Sequence, residues 1–205
     1  HVYDSNKGKV DVYELDSNNN WSSMGSSILG GVNDYGNGEE MGIDVKLNGD
    51  GTVLAIVYNG GTSKGTINIY KYNISTSNWE QRGNIIEGDN TSDYLGRAVA
   101  GTTSRTQAVD LDDIGDVIAC GAAQSDDNGT NTGEIKIFEY NSSTDKWDQR
   151  GFTLTGTPAN PAFGYGVSLS SDGKTVVGAS AGSGSGTVGK RGLITVYKYI
   201  DSIKN

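Results

Sequence analysis

WEQRG at Trp79–Gly83 and WDQRG at Trp147–Gly151 are almost the same five residues, 68 positions apart. Both open a longer pattern, Trp-x3-Gly-x4-Gly, carried by Trp79, Gly83, Gly88 and by Trp147, Gly151, Gly156. A third copy runs through Trp21, Gly25 and Gly30. An aliphatic residue stands seven positions after each Trp: Ile28, Ile86 and Leu154. Self-similarity of this kind marks a repeat architecture, and the repeat decides how the rest of the chain is read.

Upstream of each Trp lies a second pattern, Gly-x-[Val/Ile]-x-[Val/Ile]-[Tyr/Phe]. It appears as GKVDVY from Gly8, GTINIY from Gly65, GEIKIF from Gly133 and GLITVY from Gly192. Alternation with period two predicts strands. The closing aromatic falls out of phase with the aliphatics, so both faces carry apolar groups. A sheet covered on both sides has that property. A third element comes earlier still: MGIDVKLNGDGTVLAIV from Met41 and FGYGVSLSSDGKTVVGA from Phe163. Each copy predicts two strands joined by a tight turn, since Asp-Gly tolerates positive φ. The middle copy runs from Leu95 to VDLDDIGDVIACGA and is interrupted near Gly101–Gln107.

The predicted unit therefore has four strands. The predicted fold is all-β, a β-propeller or partial propeller of four-stranded antiparallel blades. A stacked solenoid is the competitor, but its coils are usually shorter, about 20–45 residues. Residues 1–205 read as a single repeat domain: 1–30 hold the last two strands of one blade, 31–88 a blade, 89–156 a blade with an insertion, and 157–205 three strands of another. That is about three blades of strands, where rings close with roughly 4–8. Flanking blades or sister chains are expected to complete the ring. The start at His1 reads as a processed product or the edge of a fragment.

Composition agrees with many short strands and tight turns. The 205 residues include 31 glycines, only 2 prolines, and 34% hydrophobic residues. The net charge is −9, without the clustered Lys and Arg that phosphate backbones or anionic lipid require. Nucleic acid is excluded as a partner on that ground. No apolar run approaches the roughly 18 residues of a membrane-spanning helix. The single cysteine, Cys120, sits in an apolar run and reads as a small buried hydrophobe.

Motifs of this form resemble repeat arrays of large extracellular proteins from marine bacteria and algae. Those arrays are distantly similar to the FG-GAP repeats of integrin α-subunit propellers. The matching positions are Phe163–Gly164, Val167–Gly173, Gly178–Ala179, Gly192–Tyr199 and the Trp-x3-Gly strands. The resemblance implies a secreted or cell-surface protein with a structural, adhesive or recognition role. FG-GAP repeats often carry a calcium loop, but LNGDG and LSSDG have too few carboxylates for one.

A different loop offers the best metal candidates. In SDDNGTNTG, Asp126, Asn128 and Thr130 alternate oxygen-bearing side chains, as calcium loops do; these residue types also simply form turns. Glycosylation sequons stand at Asn20, Asn73, Asn90, Asn128 and Asn141. Asn73 and Asn141 share one repeat position, the turn before the Trp strand. The tryptophans read as packing residues that anchor the outer strand, ahead of sugar-stacking platforms.

Catalysis has little visible material. His1 is the only histidine, so no Ser/His/Asp, Cys/His or zinc constellation can be assembled. A paired-carboxylate hydrolase is the one enzymatic idea that survives, and nothing singles out its acids. The expectation is a non-enzymatic extracellular structural or adhesion module with no cofactor, partnered by sister chains, flanking blades or glycans. A lectin-like carbohydrate-binding propeller and a calcium-dependent adhesin are the alternatives.

Overall fold

The computed structural model describes residues 7–31, 40–58, 63–100, 104–158, 161–180 and 192–200, with side chains left aside over 98–107. All regular structure among them is strand. The first unit contributes β1 (Lys9–Val10), β2 (Tyr13–Leu15), β3 (Trp21–Ser23) and β4 (Ile28–Leu29). The second has β5 (Asp44–Leu47), β6 (Val53–Tyr58), β7 (Thr66–Asn73), β8 (Asn78–Gln81) and β9 (Ile86–Glu87). A hairpin follows, β10 (Arg97–Ala100) and β11 (Ser104–Gln107). The third unit has β12 (Val109–Leu111), β13 (Val117–Ala122), β14 (Glu134–Asn141), β15 (Lys146–Gln149) and β16 (Leu154–Thr155). The last has β17 (Phe163–Leu169), β18 (Thr175–Ser180) and β19 (Leu193–Lys198).

The first unit is two strand pairs, β1 with β4 and β2 with β3, and each later unit is an antiparallel meander. The second sheet runs β5-β6-β7-β8 and the third β12-β13-β14-β15, with β9 and β16 also pairing to β7 and β14. The last runs β17-β18-β19. The expected fold is thus present as an all-β assembly of antiparallel sheets. The described sheets do not close into a barrel or ring. The interruption near Gly101–Gln107 is a hairpin extension: Arg97 pairs with Gln107 and Ala100 with Ser104 before the chain enters β12.

The Trp-x3-Gly-x4-Gly motif is one outer strand with a break. Tyr72 pairs with Trp79, the chain jogs through Gly83 at φ 75°, and Ile86 rejoins the same partner strand opposite Ile67. The jog needs the left-handed region, which glycine enters at little cost. The second motif glycine answers a different demand. A Cβ on Gly88 would lie 2.2 Å from the Lys64 carbonyl oxygen, and one on Gly156 2.0 Å from that of Thr132.

The indoles tie neighbouring units together. Trp79 Nε1 donates to the Met24 carbonyl at 2.7 Å, and Trp147 Nε1 donates to the Arg82 carbonyl at 2.8 Å. Each Trp therefore anchors its strand against the preceding unit as well as within its own. Each also meets a tyrosine of its own third strand, Tyr72 edge-on at 5.5 Å and Tyr140 tilted at 5.4 Å between ring centroids. The main core lies between the second and third units, where Val53, Val57, Ile67, Ile69, Leu95, Ile118 and Trp147 pack together. Burying each such aliphatic side chain contributes about 1.5–3 kcal/mol. Cys120 belongs to this core, and burial pushes its thiol far above the usual range, so it is inert packing.

The first strands of successive units lie beside one another. Lys46 of β5 pairs with Asp110 of β12 at 2.9 Å. The other oxygen of Asp110 accepts the Ser168 hydroxyl of β17 at 3.2 Å and the Leu169 amide at 2.8 Å. Side chains tie the turns after these strands. Asn48 Oδ1 accepts the Thr52 and Val53 amides, and Asp112 Oδ1 accepts those of Asp116 and Val117.

Candidate functional site

Strand β14 opens with Glu134-Ile135-Lys136, directly after Gly133. Alternation sends Ile135 to one face and the two charged residues to the other. Register pairs Glu134 with Ala122 and Lys136 with Cys120, so both charges enter the face that packs toward the second unit. Only 1% of Glu134 and 3% of Lys136 is exposed. In β7 the same two positions are Thr66 and Asn68. The third unit has therefore placed a charged pair where its neighbour keeps small polar side chains.

The segment after β9 closes over this pair. Lys136 Nζ donates to Asp89 Oδ2 at 2.5 Å and lies 3.3 Å from Glu134 Oε1. The Asn90 amide donates to Asp93 Oδ2 at 2.7 Å, and Asn90 Nδ2 donates to Asp127 Oδ1 at 3.1 Å. The loop 89–94 is thereby joined to the loop 125–133, over the start of β14.

Glu134 is the unusual member. The Lys136 contact is an ion pair without hydrogen-bond geometry, so neither carboxylate oxygen has a hydrogen-bond partner among the described residues. A buried polar group left this way calls for a reason, and a catalytic role is one. Burial raises the Glu134 pKa, Lys136 works against the rise, and the negative charges of Asp127 and Asp93 add to it. Asp93 is raised too, chiefly by burial, with Asp127 and Asp89 contributing. For Lys136, burial pulls downward, but the hydrogen bond to Asp89 and the charge of Glu134 outweigh it and the ammonium is held firmly charged. The result is a proton-hungry carboxyl beside a fixed positive charge, the pairing that acid–base chemistry at a carbonyl needs.

The loop residues expected to bind calcium lie next to this site. Asp126, Asn128 and Thr130 are all exposed. Asp126 Oδ1 accepts the Asn131 amide at 2.6 Å, and Asn128 Nδ2 donates to the Gly156 carbonyl at 2.8 Å. Among the described residues no group of three or more His, Cys, Asp or Glu is arranged to hold a metal ion. Asn73 and Asn141 end the equivalent strands β7 and β14, and each side-chain amide donates to a carboxylate, Glu80 at 3.0 Å and Asp148 at 3.1 Å. Asn20 donates to Asp16 at 3.5 Å, and Asn90 belongs to the carboxylate cluster. His1 lies outside the described residues.

Sequence reasoning missed Glu134 and Lys136 because it took GEIKIF as a strand and credited only its aliphatic positions. The available signal was charge at both polar positions of a strand whose repeat partner GTINIY has none, a signal that GKVDVY shares through Lys9 and Asp11.

No protein-family model matches the chain, and no curated protein matches it. Solved structures do. One is the crystal structure of a "putative 6-phosphogluconolactonase" from Bacteroides uniformis, with a TM-score of 0.57 and 15% identity. The match covers 96% of this chain and 46% of that one, so the chain spans less than half of its structural neighbour. At this identity the likeness concerns the fold. It still corrects the expected family: with no family match and a neighbour of another name, the FG-GAP resemblance of the motifs is not supported. The adhesion-module reading and its lectin-like and calcium-adhesin variants lose the resemblance that carried them, as do the attributes extracellular, secreted and structural. The exclusion of enzymatic activity is corrected as well. It rested on missing histidine and nucleophile patterns, whereas the neighbour is named as an enzyme and the fold assembles a buried carboxyl–ammonium pair that no local motif announces.

Proposed function

We propose that the chain is part of a radially arranged, propeller-like hydrolase that opens uncharged, polyhydroxylated lactones at the Glu134–Lys136 site. The observation that carries the reading is Glu134: a carboxyl almost wholly buried, 3.3 Å from an ammonium group and with no other side-chain partner for its oxygens among the described residues. The radial arrangement is supported by the lateral contact of β5, β12 and β17 through Asp110 and by the likeness to the lactonase-named structure.

In this reading Glu134 accepts a proton from the water that attacks the lactone carbonyl. The Lys136 ammonium, held by Asp89, stabilises the negative charge that develops on the carbonyl oxygen. The ring C–O bond then breaks. The proton held by Glu134 passes to the departing ring oxygen, giving an open hydroxy acid and restoring the carboxylate. The raised Glu134 pKa suits a group that must both take and return a proton.

Charge selects the substrate class. Among the described residues, Asp89, Asp93, Asp127 and Glu134 gather about Lys136, with Arg97 over Tyr94 of the same loop, so carboxylates outnumber cations. A phosphate group would meet repulsion here, so the substrate differs from the phosphorylated lactone in the neighbour's name. The test is lactone hydrolysis followed by acid release, using glucono-δ-lactone and its 6-phosphate in parallel. The reading expects acceleration of the first over its spontaneous rate, little or none of the second, and loss of about 100-fold or more in E134Q. A wild-type rate equal to the spontaneous one overturns it.

A further inference from the structure

The motif tryptophans show a gradient along the chain. Trp79 and Trp147 are 7% and 4% exposed, each filling a socket on the preceding unit. Such a socket has three parts: a backbone carbonyl that accepts the indole N–H, a motif glycine beneath the ring, and a tyrosine of the indole's own sheet. At the filled junctions, a Cβ on Gly25 would lie 3.0 Å from the Trp79 ring and one on Gly83 2.7 Å from the Trp147 ring.

A third socket stands at the far end with the same parts. Arg150, Gly151 and Phe152 continue β15 as Arg82, Gly83 and Asn84 continue β8. Gly151 has the same φ as Gly83, 75°, yet no atom lies within 4 Å of where its Cβ would be. The guanidinium of Arg150 stacks on Tyr199 at 3.9 Å, as that of Arg82 stacks on Tyr140 at 3.9 Å. Arg150 also donates to the Gly173 carbonyl, matching the Arg82 bond to Gly115. An apolar cavity of about 220 Å³ opens here, lined by Ile137, Leu154, Leu169, Val176 and Tyr197. Phe152 stands beside it 94% exposed. Among the described residues, β19 is an edge strand with no partner on its outer side.

We infer that this cavity is a preformed tryptophan socket for one more outer strand of the Trp-x3-Gly type. That strand would pair antiparallel along β19, set its Trp opposite Tyr199, and donate the indole N–H to the Arg150 carbonyl. The two filled junctions define the register, since Trp79 stands opposite Tyr72 and Trp147 opposite Tyr140. A second copy of the chain fits less well. Its exposed Trp21 already stands on its own β2, opposite Leu15, so it would bring a strand that competes with β19 for one place. Strand addition to an exposed edge gains ladder hydrogen bonds, and the side-chain pocket supplies specificity.

The test is a fluorescein-labelled peptide copying residues 142–151 (SSTDKWDQRG), titrated with the full chain and followed by anisotropy. The inference predicts saturable one-to-one binding that weakens at least about tenfold when the peptide Trp is replaced by Ala. It also predicts weakening with the chain variants G151V and Y199S. The second leaves the strained glycine untouched, so a folding defect in the first does not decide the matter. Equal binding of the Trp and Ala peptides, or none, overturns the inference. So does self-association of the chain that excludes the peptide and is abolished by Trp21→Ser, because the occupant would then be a second copy.

Discussion

The second and third units share a backbone and differ in chemistry. Strands β7 and β14 pair with their neighbours in the same register, meet a Trp opposite the same Tyr, and follow the same glycines. Yet Thr66 and Asn68 in one become Glu134 and Lys136 in the other. The repeat therefore specifies a scaffold through its aromatic and glycine positions and leaves the polar pleat positions free. In the proposed reading, function enters where one unit departs from the other at those free positions.

The largest effects should fall on the scaffold and be alike in both units. Trp79→Ala and Trp147→Ala should each cost about 3–5 kcal/mol in denaturant unfolding, because each removes a buried ring and leaves a carbonyl of the preceding unit unpaired. Trp21→Ala, at a ring 69% exposed, should fall within about 0.5 kcal/mol of wild type. A large loss at Trp21 alone would break the equivalence of the motif copies.

The next effects should separate the units. Lys136→Met leaves the Glu134 carboxyl buried without a counter-charge and should cost about 3–5 kcal/mol near neutral pH. Asn68→Leu, at the equivalent place, should cost less than about 1.5 kcal/mol, since the side chain it removes has an oxygen without a hydrogen-bond partner among the described residues. Equal costs would mean that the two faces are energetically the same.

A smaller effect should appear only on changing pH. The folded-state pKa of Glu134 is raised above its unfolded value, mainly by burial. Its contribution to stability is then fully present below the unfolded pKa and is lost as pH rises through the folded one. E134Q cannot ionise there. Its melting temperature should match that of wild type in acid and exceed it at neutral pH. A variant less stable than wild type at neutral pH would show that the carboxylate is stabilising where it sits.

Much of the scaffold was legible in the sequence. The motif glycines are forced by a left-handed jog and by carbonyls about 2 Å from a hypothetical Cβ, so they recur visibly. The interruption after Gly101 was legible as a break, but its hairpin form was not, because pairing of Arg97 with Gln107 is a matter of register. The site was hidden for a related reason. Glu134 and Lys136 look like the polar half of an ordinary strand until Asp89, 47 residues away, closes over them. In the loop expected to bind calcium, Asp126 accepts the Asn131 amide and Asn128 donates to the Gly156 carbonyl.

The central claim is that the third unit carries chemistry on a scaffold that does not need it. The most direct measurement installs the second unit's residues in the third, with Glu134→Thr and Lys136→Asn together, and reads melting temperature and glucono-δ-lactone hydrolysis on the same preparation. The account predicts stability equal to or above wild type, as replacement of a buried ion pair often gives, with hydrolysis reduced to the spontaneous rate. A variant that loses stability and still hydrolyses the lactone as wild type does would contradict it.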